Sequence, residues 1–81
     1  MMPESVPDSR EGKESLLHRK ILGVKIRHAR VRSGLSLKEV GEALGVSAGL
    51  VSDMEFGRRG VSLPQLEVMS FLFNIPVIYV W

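Results

Sequence analysis

Residues 34–57 read GLSLKEVGEALGVSAGLVSDMEFG, and the fold turns on how this stretch is punctuated. Ser36-Leu37-Lys38-Glu39 has the form of a capping box: the Ser hydroxyl takes the Glu39 amide hydrogen while the Glu carboxylate reaches back to the start of the helix. Val40 and Leu44 follow as the inner stripe of that helix. Gly45 suits the left-handed conformation that closes a helix, and Ser47 stands where it can cap a second one. That second helix is predicted from about Ala48 to Phe56, with Val51 and Met54 facing inward and Gly57 as its stop. Two short helices joined through Gly45-Val46-Ser47 are therefore expected at the centre of the chain.

Outward from this pair the pattern stays helical. Leu22, Ile26 and Ala29 fall on one face of a preceding helix, which Ser33-Gly34 ends. Leu16 and Leu17 either extend that helix or lie against its start. Downstream, Ser62-Leu63-Pro64-Gln65 forms a second capping box with proline in the first turn, where its missing amide hydrogen is harmless. Leu63, Leu66, Met69 and Phe73 then step along a fourth helix to Asn74. Val77 to Trp81 suit a short fifth helix after Pro76 or an extended strand, the helix being preferred. Pro3, Pro7, Gly12 and the polar residues between them show no apolar periodicity, so residues 1–15 are expected to be a disordered tail and residues 16–81 one domain.

Length and composition narrow the class. Eighty-one residues can form one small core but leave little chain to enclose a substrate pocket as well. Without cysteine there is neither a disulfide nor a thiolate metal site, and a reducing cytoplasm is the expected home. No apolar run is long enough to span a bilayer, and no membrane association is expected. His18 and His28 lack metal-ligand spacing, paired catalytic carboxylates and a phosphate-cradling glycine loop are absent, and no cofactor, metal or catalysis is expected. The net charge is only +2, but residues 16–34 concentrate Arg19, Lys20, Lys25, Arg27, Arg30 and Arg32 without one acid. A basic stretch beside a helix pair joined by glycine is the layout of a module that inserts a helix into the DNA major groove.

A longer pattern sharpens this. Ile26-Arg27, Arg30, Gly34-Leu35-Ser36, Glu39-Val40-Gly41, Leu44-Gly45-Val46-Ser47, Ser52, Glu55, Gly57-Arg58, Ser62-Leu63, Leu66 and Ile75-Pro76 stand in the order found in the phage repressor and Cro type of helix-turn-helix domain. The chain resembles this XRE-like family over about residues 22–81. The resemblance implies an all-α, four- to five-helix, lambda-repressor-like DNA-binding domain, acting as a repressor-type transcriptional regulator on double-stranded DNA. It also implies an internal ion pair between Arg30 and Glu55, and a close helix crossing at Gly41, where relatives carry alanine.

The same resemblance points the amino-terminal half of the third helix at the bases, nominating Ala48, Gly49, Ser52 and Asp53. At the first two of these positions relatives often carry Gln, Arg or Asn, whereas Ala48 offers a methyl group and Gly49 close approach; Ser52 adds one hydroxyl. Specificity then comes from DNA shape and a second protomer, or the fold serves as a protein-interaction or antitoxin-like module instead. Ser47, Lys38, Arg58 and Arg59 are the candidate phosphate contacts. Val68, Phe71, Leu72, Ile78 and Trp81 form a candidate partner surface, for a homodimer or an additional C-terminal domain.

Overall fold

The computed structural model describes residues 8–76, with side chains described from residue 16 onward. Four helices follow in order: α1 (Asp8–Arg32), α2 (Leu37–Leu44), α3 (Ala48–Glu55) and α4 (Leu63–Phe73). The described residues contain no strand. The fifth helix predicted after Pro76 lies outside the described residues, as do residues 1–7 of the expected tail.

The local signals act as their chemistry requires. Ser36 Oγ accepts the Glu39 amide hydrogen at 3.0 Å while Glu39 Oε1 accepts that of Ser36 at 2.8 Å. Ser62 and Gln65 repeat the exchange at 3.3 and 2.9 Å. Gly45 sits at φ 76°, and the Val46 amide donates back to the Gly41 carbonyl at 2.8 Å. This closure of α2 needs the left-handed backbone that glycine adopts without steric cost. Ser47 Oγ then accepts the Leu50 amide hydrogen at 3.1 Å and opens α3.

The core is one cluster fed by every helix. Leu22, Ile26 and Ala29 of α1, Val40 of α2, Val51 and Met54 of α3, and Leu66, Met69 and Phe73 of α4 are all buried. Full burial of side chains this size is worth about 1.5–3 kcal/mol each, the main term holding the short helices in place. Gly23 and Gly41 set the spacing. A Cβ on Gly23 would stand 2.3 Å from the Glu55 carbonyl oxygen, and one on Gly41 2.6 Å from that of Val46. Backbone therefore meets backbone where α1 crosses the end of α3, and where α2 meets the turn.

Three expectations need revision. First, α1 begins at Asp8 rather than near Leu22, so residues 8–15 are helical rather than tail. Arg10, Glu11, Lys13 and Glu14 have helix propensities close to that of alanine, which apolar periodicity cannot register. Second, Leu63 is 55% exposed rather than part of the inner stripe. It follows the cap Ser62 directly, and the first core residue of α4 comes one turn later, at Leu66. Third, α3 ends at Glu55, with Phe56 as its C-cap.

Candidate nucleic-acid interface

The site is built on α3, whose two faces have opposite environments. Val51, Met54 and Glu55 are buried, whereas Gly49 is exposed and Ala48, Ser52 and Asp53 are half-buried. At the leading end Ser47 is exposed, and a Cβ on Gly49 would find only Ser47 Oγ within 4 Å, at 3.8 Å. The Ser47 and Gly49 side of the amino-terminal end of α3 is thus open, while the backbone of Ser47 and Ala48 packs against Gly41 of α2. The Ser47 oxygen caps the helix through the Leu50 amide, which leaves its O–H free to donate outward.

Core burial of Val51 and Met54 holds this rod, and Arg30 sets its orientation. Arg30 Nε donates to Glu55 Oε2 at 2.6 Å, its second terminal nitrogen to Oε1 at 3.2 Å, and its first to the Leu35 carbonyl at 2.9 Å. One guanidinium thereby joins α1, the carboxy-terminal end of α3 and the loop before α2. Arg27 adds a cation 3.9 Å from Glu55 Oε1, on the solvent side. No buried side-chain nitrogen or oxygen among the described residues lacks a hydrogen-bond partner. The ion pair expected between Arg30 and Glu55 is therefore present, at the position that fixes the pitch of α3 against α1.

The candidate phosphate contacts all lie at the surface. Lys38 is exposed in the first turn of α2, and Arg58 and Arg59 are exposed in the loop after α3. Two nominated residues are brought together in a way the sequence did not suggest: Arg58 lies 3.3 Å from Asp53 Oδ1. Its guanidinium also lies over the Phe56 ring, 4.8 Å from the centroid. Phe56 was missed as a candidate; its signal was an apolar residue off the Val51 and Met54 stripe, directly before the Gly57 stop.

The nominated partner surface divides. Val68 is exposed and Phe71 is 88% exposed, but Leu72 is half-buried against the core. Leu72 is better read as a core-edge residue. Ile78 and Trp81 lie outside the described residues.

Residues 21–74 match the model of a helix-turn-helix domain family. The chain belongs to that family. It is 33% identical over 61 residues to the transcriptional regulator ClgR of two Mycobacterium tuberculosis strains, CDC 1551 / Oshkosh and ATCC 25618 / H37Rv. The match takes in 75% of this chain and 54% of each relative, so the chain spans about half the length of the curated relatives it matches. Among solved structures, the clp gene regulator ClgR from C. glutamicum superimposes with a TM-score of 0.71 at 35% identity, covering 78% of this chain and 82% of that one. Within this helix-turn-helix chain, α2 and α3 are the pair that the name describes. No helix among the described residues is long and apolar enough to cross a membrane.

Proposed function

We propose that the chain is a sequence-dependent, DNA-binding transcriptional regulator of repressor type that lays the leading end of α3 in the major groove of double-stranded DNA. The observation that carries this reading is the uncovered end of α3 at Ser47 and Gly49, on a helix whose opposite face is locked by the buried Arg30 and Glu55 pair. A groove reader needs a protruding helix of fixed pitch, and this one is both. Ser52 and Asp53 supply the hydrogen-bonding groups toward the bases, with Ala48 and Gly49 permitting close approach. Ser47, Lys38, Arg58 and Arg59 hold phosphates and set the register. The chain works in the cytoplasm, binds rather than catalyses, and takes no cofactor.

With so few base-reading side chains, one module reads little sequence, and a paired arrangement over two half-sites restores specificity. Phe71 and Val68 offer the apolar surface for a second copy or for a further domain. Selection of bound duplexes from random DNA tests the whole reading. Recovery of a motif repeated at about 10-bp spacing supports it. A second reading, docking of a protein on α3, is favoured by the small residues Ala48 and Gly49. DNA binding insensitive to both sequence and salt would select that reading instead.

A further inference from the structure

The outer side of α1 carries a second seam, exposed among the described residues. Leu17, Ile21, Val24, His28 and Val31 succeed one another in steps of four, three, four and three residues. Leu17 is 60%, Ile21 49%, Val24 51% and Val31 58% exposed, and His28 is exposed as well. Helical periodicity places this row on the side of α1 opposite Leu22, Ile26 and Ala29, which pack into the core toward α3. The seam spans about 21 Å at 1.5 Å per residue.

Its flanks carry four basic residues and no acid. Lys20 and Arg27, the latter also 3.9 Å from Glu55 Oε1, border one side, Lys25 and Arg32 the other, all four exposed, and α1 has no acidic residue between positions 16 and 32. In a paired helix these are the positions that face the partner's own flanks and choose it by charge. A second copy of α1 would set cation against cation in either orientation. An anionic bilayer is a poorer match, because a membrane-lying helix presents a wide apolar face with Trp or Phe, whereas this row is narrow, with four aliphatic residues and His28. DNA phosphates would engage the cations but strand the apolar row between them.

We propose that this face of α1 docks an amphipathic helix of another protein, with apolar residues at heptad spacing and Asp or Glu on both flanks. Since α1 meets α3 with its other side, such a helix docks without covering the leading end of α3. A regulator would in this way recruit an acidic helix while bound elsewhere through α3, but the docking itself does not depend on the DNA-binding reading.

The test uses the full chain and two labelled synthetic peptides of three heptads, with Leu at the seam positions and either Glu or Lys on the flanks, read by fluorescence anisotropy. The Glu-flanked peptide binds and weakens with added salt, and the Lys-flanked one does not bind. Ile21→Ser with Val24→Ser lowers the affinity at least about tenfold without changing charge. Lys25→Glu with Arg32→Glu transfers the preference to the Lys-flanked peptide, a reversal that loss of folding cannot produce. Circular dichroism of both variants establishes that the helices are retained. Equal binding of the two peptides, binding of neither, or binding of phosphatidylserine vesicles in preference to both overturns the proposal. So does sedimentation showing a homodimer that Ile21→Ser with Val24→Ser dissociates.

Discussion

Arg30 and Glu55, separated by 25 positions, meet in two parallel hydrogen bonds of 2.6 and 3.2 Å with both side chains nearly excluded from solvent. Such a pair adds little net stability when formed but a large penalty when halved, because the survivor is left charged and dry. Arg30→Met is therefore expected to destabilise the domain by about 3–5 kcal/mol, the range for one removed partner. Arg30→Met with Glu55→Leu should cost less than Arg30→Met alone. Urea denaturation of both single variants and the double variant measures this; additive losses would show the two residues to act independently.

Gly23 on α1 and Gly49 on α3 lie in opposite circumstances. A Cβ at Gly49 meets only Ser47 Oγ, at an ordinary contact distance of 3.8 Å, so Gly49→Ala should raise stability by about 0.5–1 kcal/mol through helix propensity. A Cβ at Gly23 meets the Glu55 carbonyl, and Gly23→Ala should lower stability by about 1–3 kcal/mol, as overpacking does. Thermal melts give both signs. If close approach to the bases is the role of Gly49, the stabilised Gly49→Ala variant binds selected DNA more weakly.

Arg58 and Arg59 are exposed cations beside the proposed interface. Arg58→Ala with Arg59→Ala should weaken binding to all duplexes and flatten the salt dependence by about 0.9 in the log–log slope for each phosphate that is no longer neutralised. Ser52→Ala should instead change the preference among sequences at nearly constant slope. Titrations at several salt concentrations separate the two behaviours, and an unchanged slope in the double variant would remove the loop from the interface.

Asp53 holds Arg58 at 3.3 Å and places a carboxylate on the same helix face. Asp53→Asn should free the guanidinium for phosphate and remove a repulsive charge, tightening binding to unrelated duplexes several-fold while reducing any preference for cytosine at one position. Competition binding with selected and unselected duplexes is the measurement. A uniform loss of affinity would mean that Asp53 orients Arg58 for its phosphate.

Elements governed by interactions three or four residues apart were legible in the sequence. The capping boxes at Ser36 and Glu39 and at Ser62 and Gln65, the Gly45 closure and the Ser47 cap all depend on near neighbours, and each forms as expected. The Arg30 and Glu55 pair, far apart in the chain, was legible only through resemblance to a family. What was missed depends on three-dimensional placement. Nothing local announces that Gly23 lies against the end of α3, that Asp53 and Phe56 together hold Arg58, or that Leu63 precedes the core by a turn. The early start of α1 leaves no mark in apolar spacing, because its first turns rest on backbone propensity.

Occupation of the major groove by the amino-terminal end of α3 is best tested by dimethyl sulfate protection of a bound duplex. Guanine N7 is exposed in the major groove and adenine N3 in the minor, so one reagent reports both. Guanine N7 within the selected motif should be protected while adenine N3 there stays reactive. A complex that shields adenine N3 alone, or that forms without shielding any base, would contradict it.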